Sequence, residues 1–188
     1  MHSAETAAGK AALRAAVLAG RKQRHADELR SLRAQLRAIV LARCVDEGWQ
    51  CVAGYEPMRT EPGSVELLAA WHGLGVSVLV PVLLPDGDLD WAHWHPDPER
   101  PRPALGTDAV RRAQAVFVPA LAVGRDGTRL GRGGGSYDRA LARVADVPVV
   151  ALLFDDELTD TVPRDAWDRP VTAVATPSGW TELAPAAE

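Results

Sequence analysis

At 188 residues, 47% apolar and 24% charged, the chain has the length and balance of one globular domain spanning 1–188, with enough sequence to bury a substantial core. A formal net charge of -4 argues against a general nucleic-acid partner, which calls for a basic surface. The opening MHSAETAAGK lacks the apolar centre of a signal peptide, and the most apolar run, Val76 to Pro85, is only about half a membrane span, so a cytoplasmic protein with no membrane partner is expected. A monomer is the expected state, with no composition or motif that bears on it.

Residues 5 to 47 are rich in Ala, Leu and Arg, contain no Pro, and predict two helices. The break falls near Arg24 to Asp27, with Asp27 as the expected cap. Leu29, Leu32, Leu36, Ile39 and Val40 recur at helical spacing in the second helix. On the first, Lys10 and Arg14 are four apart and share a face, with Arg21 near the same stripe. Like charges so placed cost a helix roughly a few tenths of a kcal/mol, a cost that an anion between them would remove; a solvated face is the plainer alternative. Only Lys10 and Lys22 of the 21 basic residues are lysines, a bias under which a retained lysine hints at use of its compact ammonium. Cys44 and Cys51 form no CxxC and lack further partners for a metal quartet, so free thiols are expected.

Gln50 to Tyr55 then predicts a short strand and Val65 to Trp71 a helix, opened by Pro62, Gly63 and Ser64. Val76 to Leu84 is apolar and β-branched, the pattern of a strand covered on both faces. Leu89 to His93 predicts an edge strand, Pro96 to Pro103 a loop, Asp108 to Gln114 a short helix and Ala115 to Val118 a buried strand. A long glycine loop leads to a helix from about Ser136 to Val144, and Val147 to Phe154 and Val171 to Ala175 close the chain as its last two strands. This order predicts an α/β fold: a mostly parallel sheet flanked by helices, preceded by two N-terminal helices. Ligands of such sheets bind outside the carboxyl ends of the strands, where the glycine loop emerges.

That loop, Pro119 to Arg139, reads PALAVGRDGTRLGRGGGSYDR. Gly131, Gly133, Gly134 and Gly135 allow close backbone approach to a ligand. Arg125, Arg129, Arg132 and Arg139 supply four guanidinium groups suited to phosphate. The helix beginning at Ser136 would add free N–H groups. The run is neither GxxxxGK[ST] nor a complete GxGxxG. A mobile loop with solvated arginines is the plain alternative, but the setting between an apolar strand and a helix suits a phosphate cradle. Asp138 beside a polyphosphate would be repelled unless a cation lay between, and Mg²⁺ is the usual bridge.

Val118 to Leu141 resembles the signature of the 5-formyltetrahydrofolate cyclo-ligase family, and further stretches resemble that family in order along nearly the whole chain. Lys10-Ala-Ala-Leu-Arg14 is similar to its KxxLR opening, and Gly54-Tyr55 through Glu61 to its strand and substrate-binding glutamate. Val78 to Pro85 resembles its apolar strand, Asp88 to Trp91 the edge segment, and Leu158 to Thr176 the closing LPxxxHDxxVDxVVTP. The resemblance implies an α/β enzyme that uses ATP and Mg²⁺ to convert 5-formyltetrahydrofolate into 5,10-methenyltetrahydrofolate, ADP and phosphate. Carried over by position, it implies ATP binding by Lys10, Arg14, Arg129, Gly131, Arg132, Gly133, Gly134, Gly135, Ser136 and Tyr137, with Arg129, Arg132 and Tyr137 as catalytic groups. It places Tyr55, Glu61 and Tyr137 on the folate and Asp138 and Asp168 on the metal. Taken alone, Glu61 reads as an exposed turn glutamate and Asp168 as a loop partner of Arg169.

The chain departs from the family pattern at several positions. The family's AFD is Ala122-Val123-Gly124, its double tyrosine is Ser136-Tyr137, its late histidine is Trp167, and Pro62-Gly63-Ser64 follows Glu61. These departures bear on folate geometry and rate more than on the nucleotide. Trp91 and Trp94 are the candidates for an aromatic partner of the pterin, with core packing as the alternative role. Three other readings remain open at this level: a nucleotide-binding relative without folate turnover, an RGG-like RNA-binding module, and an isomerase or acyl-carrier transferase on a similar sheet.

Overall fold

The computed structural model describes residues 2–165 and 167–183. Helices α1 (His2–Gln23) and α2 (Ala26–Glu47) open the chain. The residue before α2 is His25, extended and without a side-chain cap, so Asp27 is not the cap. Asp27 lies one residue into the helix, pairing with Arg30 in the first turn, where a carboxylate favours the helix dipole. Gly48, left-handed at φ 66°, ends α2 by donating its N–H to the Cys44 and Val45 carbonyls.

Strand β1 (Cys51–Ala53), helix α3 (Val65–Gly73), and strands β2 (Ser77–Leu83) and β3 (Leu89–His93) follow. Ser64 caps α3 through its hydroxyl. The short helix expected over Asp108 to Gln114 is a 3₁₀ helix at Thr107–Arg112. Next come β4 (Ala115–Pro119), β5 (Ala122–Gly124), β6 (Arg129–Leu130), α4 (Ser136–Leu141), β7 (Val149–Leu152), β8 (Leu158–Thr159), β9 (Ala173–Thr176) and β10 (Gly179–Glu182).

Seven strands form one sheet in the order β10-β9-β7-β4-β1-β2-β3, parallel except for the two outer strands, β3 and β10. Alternate residues of the parallel strands feed two cores. Val52, Phe117, Val150 and Ala175 face Leu36, Val40 and Trp71 of α2 and α3. Ala53, Val116, Val118, Ala151 and Val174 face Val110, Ala140 and Leu141 on the other side. Free thiols Cys44 and Cys51 fit this picture.

Two expectations change here. β2 is not covered throughout. β1 ends opposite Leu79, so β2 continues beside β3 alone as a two-stranded ribbon, and Leu83 is 68% exposed. The glycine loop is also more ordered than its composition suggests. β5 and β6 form an antiparallel hairpin, and β8 adds to it in parallel as a second, three-stranded sheet. Leu121, Ala122 and Leu130 of this region pack against Leu13, Val17 and Leu18 of α1. α1 is thereby fixed beside the loop.

β1 leads to β2 on one side, and the chain then crosses to β4 on the other side of β1. The carboxyl ends of β1 and β4 therefore flank a topological switch point, the place where sheets of this kind open a crevice. Among the described residues, no helix is long and apolar enough to cross a membrane.

Candidate active site

A cleft of about 760 Å³ opens at that switch point, within the usual range for small-molecule sites. The β1 exit contributes Tyr55 and Glu61, and the β4 exit contributes Pro119 to Leu121. α1 contributes Lys10 and Arg14, the glycine loop Arg129 to Asp138, and a late loop Asp165, Trp167 and Asp168. The residues that the family resemblance assigned by position to ATP, folate and metal, from Lys10 to Asp168, border this one space.

Their contacts differ from the simple expectation of free cations. Lys10 is 7% exposed, not on a solvated face. Its Nζ lies 2.7 Å from Asp165 Oδ2 and 2.6 Å from Asp168 Oδ2. Burial alone would lower its pKa, but the hydrogen bonds and charges of the two carboxylates outweigh that and raise it. Asp168 thus holds Lys10 and accepts the Asp165 N–H at 2.8 Å, rather than pairing with Arg169. Arg14 donates through Nε to the Gly131 carbonyl at 2.9 Å, tying α1 to the glycine loop.

Of the four loop arginines only Arg129 and Arg132 border the cleft. Arg125 pairs with Asp160 on the surface, and Arg139 turns to the Gly87 and Gly134 carbonyls. Arg129 is buried. Its Nη2 meets Asp138 Oδ1 at 2.9 Å, and its guanidinium lies 5.9 Å from the Tyr137 ring centre. A Cβ at Gly131 would fall 2.8 Å from Arg129 Nη1, so this glycine makes room for the guanidinium. Arg132 has a side chain 43% exposed, and its Nη2 reaches Glu61 Oε1 at 3.1 Å. Glu61 is only 5% exposed, and its Oε2 accepts the Met58 N–H at 2.9 Å. It is therefore not an exposed turn glutamate. The sequence had set Glu61 apart from the phosphate cradle, but the fold joins the two through Arg132.

Gly133 and Gly135 have φ of 104° and 67°, which other residues adopt with strain. α4 has six residues, too short for a full helix dipole, so loop N–H groups and arginines are the stronger attraction for an anion here. Burial pushes the Tyr137 hydroxyl well up, and does the same for Tyr55. Both remain protonated donors at neutral pH. Tyr55 lends its body to the cleft wall, and a Cβ at Gly63 would lie 3.2 Å from its hydroxyl.

No group of three or more His, Cys, Asp or Glu side chains is arranged to hold a metal among the described residues. Mg²⁺ on a nucleotide needs less: one or two carboxylates, the remaining ligands being phosphate and water. Asp138 fits that role. Among the described residues both of its hydrogen bonds, from Arg129 Nη2 and the Arg169 N–H, fall on Oδ1.

Trp91 and Trp94, the candidate pterin partners, are buried in the two cores and do not border the cleft. The exposed aromatic at the cleft is Trp167, 70% accessible. Sequence reasoning also passed over Asp165 as a partner of Lys10. Only its three-residue separation from Asp168 hinted at a shared site.

The sequence model of the 5-formyltetrahydrofolate cyclo-ligase family matches residues 6–177. The 5-formyltetrahydrofolate cyclo-ligase of Mycolicibacterium smegmatis is 40% identical over 141 residues, covering 67% of this chain and 73% of the relative. That of Escherichia coli is 34% identical over 118 residues, 55% of this chain and 65% of the relative. In fold, the chain is similar to a 5,10-methenyltetrahydrofolate synthetase from Mycoplasma pneumoniae, with TM-score 0.77 at 19% identity over 89% of this chain and 98% of that one. The 5,10-methenyltetrahydrofolate synthetase from Aquifex aeolicus gives TM-score 0.75 at 24% identity, covering 95% of each chain.

Proposed function

The chain belongs to the 5-formyltetrahydrofolate cyclo-ligase family, and from that premise we propose that it converts 5-formyltetrahydrofolate and ATP into 5,10-methenyltetrahydrofolate, ADP and phosphate. The observation that carries this reading is the Arg132–Glu61 contact at 3.1 Å, which joins the phosphate-suited loop to the buried carboxylate within one cleft. Two ligands that must exchange a phosphoryl group need such a shared space.

In this reading the formyl oxygen attacks the γ-phosphorus and ADP leaves. The oxygen, a poor leaving group as a formamide, is now a phosphate ester. N10 adds to the formyl carbon, its proton is lost, and phosphate departs to leave the methenyl bridge. The protein supplies no nucleophile. Its task is to align donor and acceptor and to stabilise charge on the moving phosphoryl group. Arg132, partly exposed, turns from Glu61 to the phosphates, with Lys10, Arg14 and the N–H groups of Gly131 to Tyr137 lining the rest of the nucleotide. Arg129 stays behind Tyr137 as a buried positive charge. Glu61 accepts hydrogen bonds from the folate, beside Tyr55 and Tyr137. Asp138 would hold Mg²⁺, with Asp168 nearer Lys10, and the ion would neutralise phosphate charge during transfer. The chain works as a single-domain, cytoplasmic monomer.

The test is an absorbance assay for the methenyl product with 5-formyltetrahydrofolate, ATP and Mg²⁺, each omitted in turn. Product should form only with all three present. Product without ATP would refute the nucleotide-driven reading.

A further inference from the structure

Arg33 lies on α2, away from every motif that pointed to the site. Its guanidinium reaches the turn Met58-Arg59-Thr60-Glu61 and, among the described residues, its hydrogen bonds go to backbone carbonyls. Nε meets the Glu61 carbonyl at 3.0 Å. Nη2 meets the carbonyls of Glu61 at 2.7 Å, Arg59 at 3.0 Å and Met58 at 3.3 Å. The turn is closed from within by the Glu61 N–H on the Met58 carbonyl at 3.0 Å. Glu61 Oε2 then accepts the Met58 N–H at 2.9 Å, leaving Oε1 towards Arg132.

This segment links β1 to α3 without regular structure of its own. Backbone carbonyls on one side of such a turn have no ladder to satisfy them. A planar guanidinium can bind several at once, which a lysine ammonium on its flexible stem does with less definition. The contacts fix the backbone at the residue whose carboxylate enters the cleft. Functional side chains depend on such support, because a displacement of about 1 Å is enough to degrade a site.

We propose that Arg33 is a positioning residue for Glu61: it holds the 58–61 turn so that the carboxylate points into the cleft. Its consequence for substrate use rests on the folate reading above. Arg33 touches neither ligand in this account and acts through Glu61.

Arg33→Met keeps much of the aliphatic stem and removes the fork, and Arg33→Lys keeps the charge. Hydrogen exchange of the Met58 and Glu61 amides in each full-length variant reads the turn directly. Both amides should exchange about tenfold faster in Arg33→Met, the size expected for losing roughly one net hydrogen bond. Arg33→Lys should fall between it and wild type, and core amides of β4 and β7 should keep their protection. In kinetics, KM for 5-formyltetrahydrofolate should rise by a similar factor of about ten, while KM for ATP stays within about twofold. In a Glu61→Gln background the Arg33→Met effect on folate KM should largely vanish, because the group it positions is already altered.

Unchanged exchange in Arg33→Met overturns the proposal whatever the enzyme's activity. So does a folate effect that persists in full with Glu61→Gln, since Arg33 would then act by another route. If wild-type protein forms no methenyl product, the folate reading fails, and amide exchange alone decides whether Arg33 holds the turn.

Discussion

Arg132 and Glu61 neutralise each other across the cleft, so neither offers its full charge to a ligand until the other is engaged. Arg132→Ala removes a charge-assisted phosphate contact, and ATP affinity should fall by on the order of tenfold to a hundredfold. Glu61→Gln should weaken folate by a similar factor of about ten or more while leaving ATP affinity equal or slightly better, because Arg132 is released. Separate calorimetric titrations of both ligands check this, and loss of ATP with retention of folate in Glu61→Gln would reverse the assignment. Asp138 needs a different comparison, since it also holds Arg129. Asp138→Asn should lower turnover strongly at fixed Mg²⁺, and a metal role predicts that the Mg²⁺ concentration for half-maximal rate shifts upward. A rate that falls with no such shift would leave Asp138 as a support for Arg129 alone. The chemical types at these positions were readable from the sequence. Their pairings were not, because Lys10 meets Asp165 and Asp168 across more than 150 positions, and spacing along a chain carries no information about such contacts.

At the scale of elements, α1 presents Lys10 and Arg14 only because it is anchored. Arg21, read from spacing as part of the same basic stripe, is 2% exposed and makes a two-pronged contact with Glu157 at 2.7 Å on each arm. Its Nη2 also donates to the Ala120 carbonyl at 2.7 Å, just past β4. Glu157 Oε2 in turn accepts the Phe154 N–H at 3.0 Å. Removing one partner strands a buried charge, so Arg21→Ala should destabilise the fold by about 3–5 kcal/mol, read as a lower urea midpoint. A midpoint within error of wild type would return Arg21 to the surface stripe. The two N-terminal helices and the apolar parallel strands were legible because their periodicities are strong. β5, β6, β8 and β10 were not read as strands: they have two to four residues each, too few for a readable alternation, and β8 pairs with a strand distant in sequence, β5. The predicted reach of α4 to Val144 was also too long, since the segment from Ser136 to Leu141 alone is helical.

For the whole molecule, the order β9-β7-β4-β1-β2 places the exits of β1 and β4 side by side, and α1, the glycine loop and the late Asp165–Asp168 loop gather over them. The expected position of the site, at the carboxyl ends of a mostly parallel sheet, follows from the alternation of elements along the sequence. The closeness of Glu61 to the glycine loop was not legible, because the contact that shows it, Arg132 with Glu61, joins residues 71 positions apart. Under the proposed function, one cleft holds both ligands, and phosphoryl transfer and ring closure should then be linked. The most direct test is a single-turnover experiment with protein in excess over 5-formyltetrahydrofolate, in the presence of Mg-ATP, measuring ADP and methenyltetrahydrofolate together. The account predicts one ADP for each methenyl product, with ADP never lagging behind. Methenyl product formed ahead of ADP, or ATP hydrolysed at the same rate without folate, would contradict it.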